Sequence, residues 1–171
     1  MAENGNDFFT NVYNHAFPVL LRVVFRIVNS QEQAEEICHD AFLRFYQRAE
    51  SFPDVDQATY WLLRVGKNLA FNASKRQGRE RKAYERAVHE PKREQSTADA
   101  DVLRKESIAS VQKALMTLPR NLREVLILKE YGNLDYQEIA GVLRISVGNV
   151  KVRAHRARLK LAKALEEDGG R

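Results

Sequence analysis

The sequence predicts an all-α fold made of two small helical domains joined by a flexible charged linker. Three observations predict it. Glycine (8) and proline (4) are scarce in 171 residues, so long stretches run without a helix breaker. Apolar residues recur at three- and four-residue steps through two blocks, and no stretch sustains the period-2 alternation of a strand. Between the blocks, residues 77–101 are dominated by Arg, Lys, Glu, Gln and Ala, and include Pro91. They offer too little apolar surface to fold alone, which makes them a linker with room for some helix.

The first domain is expected over residues 7–76. Phe8, Phe9, Val12, Tyr13 and Phe17 have helical spacing, and Pro18 is expected to break the helix or start a new one. Leu20, Leu21, Val24, Phe25 and Val28 continue the pattern as far as Asn29. Ser30 with Gln33 three residues on reads as a capping box. The helix it opens carries an apolar stripe of Ala34, Ile37, Cys38, Ala41, Phe42, Phe45, Tyr46 and Ala49. Ser51–Asp56, with Pro53, reads as a loop, and a helix from Thr59 would turn Trp61, Leu62, Val65, Leu69 and Phe71 inward.

The second domain is expected over residues 102–167. Ile108, Val111, Leu115 and Leu118 mark one helix, stopped by Pro119. Leu122, Val125, Leu126 and Tyr131 mark another, with Gly132 at its C-cap. A short helix over Tyr136–Leu143, a tight turn and a long basic helix follow. Ser146 is a good N-cap for that last helix, in which Val147, Val150, Ala154, Ala157, Leu161 and Ala164 form a buried seam. Two helices in this pattern, crossing steeply, form a helix-turn-helix. Arg144 holds the turn position that usually takes Gly or Asn, because a positive φ strains other residues.

Charge is uneven along the chain. Residues 1–75 hold seven basic and nine acidic side chains, residues 76–171 hold 21 and 14, and 144–165 hold seven basic and no acidic ones. Solvated helix faces usually mix signs, so an acid-free cationic element points to a polyanion, nucleic acid before membrane. Asn149, Arg153, Arg156, Lys160 and Lys163 lie opposite the seam, flanked by Lys151, His155 and Arg158, as a helix in a major groove requires. The single cysteine, Cys38, rules out an internal disulfide and suits a reducing cytoplasm. No apolar run reaches the roughly 20 residues of a membrane span, and the start of the chain lacks signal-peptide order. A cytoplasmic protein without membrane insertion is expected.

Leu118–Leu128 followed by Tyr136–Arg158 resembles region four of the extracytoplasmic-function (ECF, group 4) sigma factors of bacterial RNA polymerase. Asn149 stands where that family usually has Thr, and Val152 where it usually has Ser. Ala34–Arg44 resembles the region-two helix that docks on the polymerase clamp, which implies Glu36, His39 and Asp40 as polymerase-binding residues, His39 in place of a common Gln. Tyr60–Ala70 resembles the segment that melts and reads the downstream (minus-10) promoter element. Unstacked bases need replacement stacking and hydrogen bonds, which a polar loop backed by aromatics supplies. The resemblance thus implies Phe52 and Asp54 with their loop as the base pocket. It adds Tyr60, Trp61, Arg64, Lys67, Asn68, Lys75 and Arg76 along the following helix, although aromatics at helical spacing equally suit a core. For the upstream (minus-35) element it implies Ser146, Asn149, Lys151, Arg153, His155, Arg156, Arg158 and Lys160.

The expected partners are core RNA polymerase, promoter DNA and an anti-sigma factor, and the linker either threads toward the polymerase active-site channel or merely tethers. Two weak DNA contacts carried on one polymerase gain through effective concentration. Two other readings compete. A stand-alone helix-turn-helix regulator would need a dimerisation or sensor domain, which the first block does not resemble. A nucleic-acid-processing enzyme would gather metal ligands, whereas His15, His39, His89 and His155 are scattered and Cys38 has no CxxC partner. No catalytic residue, metal or cofactor is expected.

Overall fold

The computed structural model describes residues 2–48, 51–88 and 100–170, and every regular element among them is a helix. Ala49, His89 and Pro91 lie outside them. Helix α1 (Ala2–Val28) runs unbroken through Pro18, contrary to the expected break. Proline costs a helix interior about 3 kcal/mol. Here, however, Pro18 is exposed, and the opposite face buries Val12, Ala16, Leu20, Val23, Val24 and Ile27. Burial of several such side chains, at roughly 1.5–3 kcal/mol for each large one, outweighs the lost bond.

Asn29 takes φ 55° after α1, and Ser30 Oγ then accepts from Gln33 N at 3.3 Å to cap α2 (Gln31–Tyr46). Only half of the expected capping box forms, because Gln33 Oε1 is buried without a hydrogen-bond partner. Ala34, Cys38, Ala41, Phe42 and Phe45 face inward as expected. Tyr46 does not: it is 71% exposed at the helix end, its edge against Phe9.

Helix α3 (Val55–Ala87) starts four residues earlier than expected, because Asp54 accepts from Gln57 N at 2.8 Å and caps it. The loop is correspondingly shorter than Ser51–Asp56. At the other end α3 continues past residue 76, where no proline interrupts it and Arg81 pairs with Glu85 across one turn. Residues 75–87 are all exposed, so the start of the expected linker is a solvated helical arm.

Helices α4 (Ala100–Thr117), α5 (Arg120–Glu130), α6 (Tyr136–Leu143) and α7 (Val147–Gly169) form the second unit. Ile108 lies in α4 as its spacing predicts and is 50% exposed, lining an open groove with Asn29, Gln112 and Met116. Tyr131, not Gly132, is the C-cap of α5, and the left-handed residue is Asn133 (φ 54°). Gly132 is still required there, because a Cβ would stand 2.6 Å from the Leu128 carbonyl oxygen.

The two units lie against each other, α3 on α6 and α1 on α5. Val125, Ile127, Leu128, Leu134, Ile139, Val142, Val150 and Ala154 join the core built by the first three helices. A smaller cluster of Leu115, Leu118, Leu122, Leu126 and Ala157 holds α4, α5 and α7 together.

Candidate nucleic-acid and polymerase interfaces

The helix-turn-helix is fixed by local chemistry. Asp135 and Glu138 form a full capping box at the start of α6, with bonds of 2.8 and 2.7 Å. Arg144 then sits at φ 56°, ψ 46°, the left-handed turn anticipated as strained, and Ile145 N donates to the Ala140 carbonyl at 3.2 Å. Ser146 Oγ accepts from Asn149 N at 3.1 Å and caps α7. Val150, Ala154 and Ala157 are the buried seam, with Val147, Leu161 and Ala164 partly covered.

On α7 the structure exposes Ser146, Asn149, Lys151, His155, Arg156, Arg158 and Lys160 together. Arg153 is more enclosed. Its Nε donates to Asn149 Oδ1 at 3.0 Å, and its Nη1 lies 3.7 Å from Glu124 Oε1. Arg158 occupies the far flank, donating to Tyr136 Oη at 3.2 Å and Glu130 Oε1 at 3.4 Å. The Tyr136 bond leads the influences that raise its guanidinium above the ordinary range.

The residues expected at the downstream element divide into three groups. Phe52 and Trp61 are half-buried with ring centroids 5.6 Å apart, and Phe45 backs both at 5.4 and 6.3 Å. Asp54 caps α3 and is exposed, and Arg48 lies over Trp61 at 5.8 Å. Lys75 and Arg76 are exposed on the helical arm.

Tyr60, Arg64, Lys67 and Asn68 face the second unit instead. Arg64 donates to the carbonyl oxygens of Val142 and Gly141 at 2.7 and 2.8 Å, the free acceptors at the end of α6. Lys67 is only 5% exposed, its Nζ 3.1 Å from Glu124 Oε2 and 2.9 Å from Asn68 Oδ1. Burial pushes its ammonium below the usual lysine range despite the opposing pull of Glu124. Asn68 Oδ1 also accepts from Arg120 Nη2 at 2.9 Å, and burial raises the Tyr60 phenol.

On α2, Glu36 and His39 are exposed, and Asp40 pairs with Arg44 at 3.0 Å. Leu43 (67% exposed) and Tyr46 follow at helical spacing on the same side and extend this acidic face with apolar surface. Neither was singled out from the sequence, where Tyr46 was assigned to the core. Glu124, Arg120 and Gly141 were missed as well, and the signal for Gly141 was a glycine inside a helical pattern. No cluster able to hold a metal occurs among the described residues.

A capped helix-turn-helix with a cationic outer face, packed on a three-helix unit that bears a half-buried aromatic cluster, defines a DNA-binding protein of two helical units. Residues 12–80 match the family model described as Sigma-70 region 2, and residues 108–161 the one described as Sigma-70, region 4. The RNA polymerase sigma-H factor of Pseudomonas aeruginosa is 32% identical, over 94% of this chain and 86% of its own length. The ECF RNA polymerase sigma factor SigW of Bacillus subtilis is 29% identical, over 98% and 94%. Among solved structures, the sigma factor RpoE in complex with the anti-sigma factor NepR from Bartonella quintana superposes with a TM-score of 0.64. That match has 22% identity over 92% of this chain and 96% of that one.

The chain therefore belongs to the RNA polymerase sigma factors, of the extracytoplasmic-function type. Its function is to bind core RNA polymerase and direct initiation at specific promoters, which is favoured over that of a stand-alone regulator.

Proposed function

We propose that the two units divide the promoter between them. Residues 7–76 dock on core polymerase through Glu36, His39 and Asp40, joined by Leu43 and Tyr46. They open the downstream element with the Phe52–Trp61 pocket, Asp54, Tyr60, Arg64, Lys67, Asn68, Lys75 and Arg76. Residues 102–167 read the upstream element with Ser146, Asn149, Lys151, Arg153, His155, Arg156, Arg158 and Lys160. Residues 77–101 span the two, beginning as the helical arm that ends at Ala87.

One observation carries this reading: α7, capped and turned outward, exposes basic side chains and no acidic one from Val147 to Leu165. Phosphate contacts fix register, and base-edge contacts then select the sequence. The protein supplies recognition and no bond-making chemistry. It works in the cytoplasm beside polymerase, as a group 4 member held inactive by an anti-sigma factor. The likeness to RpoE, a sigma factor in complex with the anti-sigma factor NepR, supports that control. No helix among the described residues is long and apolar enough to cross a membrane.

The test is run-off transcription with core RNA polymerase on the DNA upstream of the protein's own gene. Transcript is expected only with the protein present, and is lost with Glu36→Ala/Asp40→Ala or with Arg153→Ala/Arg156→Ala. DNA binding without transcript and without polymerase binding would instead favour the stand-alone regulator.

A further inference from the structure

Two positions on the outward side of α7 answer to nothing inside the protein. Val152 lies two residues from both Val150 and Ala154, so it stands opposite the buried seam, and it is 47% exposed. Asn149, Arg153 and Arg156 lie on one side of it, Lys151, His155 and Arg158 on the other. A β-branched residue forms helix less readily than alanine or lysine. Neither burial nor propensity therefore asks for valine in the middle of a cationic face.

Gly148 lies one turn earlier on the same side and is also exposed. A Cβ there would meet only Ser146 Oγ, at the ordinary contact distance of 4.0 Å. Alanine would fit and would favour the helix, so no packing within the chain explains the glycine. Side chains on a helix lean toward its N-terminus, which brings the Val152 methyl groups over the turn that Gly148 leaves bare. Together they make a shallow notch with an apolar wall, flanked by cations, within the first two turns of α7. Those turns are the part of a recognition helix that meets base edges.

Among the groups that mark base pairs in the major groove, the C5-methyl of thymine is the apolar one. We propose that Gly148 and Val152 take the methyl group of one thymine in the upstream element and are specificity-determining residues of this sigma factor. This rests on the assignment of α7 to that element. The flanking cations serve phosphates and base acceptors, whereas the apolar wall gains only from a methyl group. Cytosine in the same place would present an amino donor and no methyl.

The experiment uses holoenzyme, core polymerase with the full chain, on promoter DNA from upstream of the protein's own gene with the upstream element randomised. The DNA is made once with thymidine and once with deoxyuridine, which lacks only the C5-methyl group. The parent should select thymidine at one base pair. It should lose about fourfold in affinity when deoxyuridine replaces that thymidine, the effect of leaving one methyl group unburied. Val152→Ala removes the wall and Gly148→Ala fills the notch, and both changes favour the helix. Each variant should bind the two DNAs alike, and Val152→Ala should keep the parental affinity for the deoxyuridine form. Methyl dependence absent from the parent, or undiminished in either variant, would overturn the notch while leaving the sigma assignment intact. Failure of the parent holoenzyme to bind any member of the library would remove that assignment and the notch with it.

Discussion

Arg64 of α3 donates to the Val142 carbonyl at 2.7 Å, so a side chain of the first unit closes the end of a helix in the second. Its other bond, to Gly141, makes the pairing forked, a geometry that a planar guanidinium supplies and an ammonium does not. Burial first, and the charge of Arg144 second, hold Arg64 below the ordinary arginine range. Arg64→Ala should therefore lower unfolding free energy by about 1–3 kcal/mol in urea titration. Arg64→Lys should recover less than half of that loss, and recovery of all of it would show that charge alone matters.

Arg144 is the complementary case, a residue the fold tolerates at a cost. Its left-handed conformation costs a non-glycine residue about 1 kcal/mol, and its charge weakens that of Arg64. Arg144→Gly relieves both effects but gives back part of the gain through a freer unfolded chain. A net rise in stability of about 0.5 kcal/mol is expected by thermal denaturation. Arg144→Val, β-branched at positive φ, should lower it.

The parts of this structure encoded within one or two helical turns were legible in the sequence. The Ser146 cap, the Val150–Ala154–Ala157 seam and the bounds of α6 follow from periodicity and capping chemistry that a short stretch of chain suffices to express. Features set by distant packing were not legible. Pro18 stays helical because α1 is covered along one whole face, and Tyr46 is exposed because α2 ends there. The Lys67–Glu124 pair joins residues 57 positions apart, and no local pattern ties a lysine in one block to a glutamate in the other. The sequence marks the candidate DNA residues on α3 as polar, basic or aromatic, but not that four of the seven, Tyr60, Arg64, Lys67 and Asn68, pack against the second unit.

Cys38 is fully buried, and its thiol is pushed up to about 12, first by burial and then by the charge of Glu35. At pH 8 the native thiol should resist a disulfide-exchange reagent and react only at the rate of unfolding. The native state also binds this proton more tightly than the unfolded chain does. Its contribution to stability is thus complete below the ordinary value of 9.0 and declines as pH rises from there toward 12. Rapid labelling of the folded protein at pH 8 would contradict the burial.

Asn149 and Arg153 act as a pair, since the Asn149 amide oxygen accepts the Arg153 Nε bond and aims the remaining guanidinium nitrogens. Release of Arg153 Nη1 from Glu124 on binding would leave two guanidinium nitrogens for acceptors on one base edge, typically guanine, and such a contact gives about 1–3 kcal/mol of discrimination. Asn149→Ala should therefore relax preference at one upstream base pair while leaving overall affinity for other positions nearly unchanged. Arg156 is exposed on the outer face of α7, and in the proposed reading it meets phosphate. Arg156→Ala should weaken binding to all sequences alike and reduce the salt slope by about 1. Polymerase holoenzyme titrated against a promoter library at two salt concentrations separates these outcomes. A uniform loss from Asn149→Ala, or a base-specific loss from Arg156→Ala, would reverse the two roles.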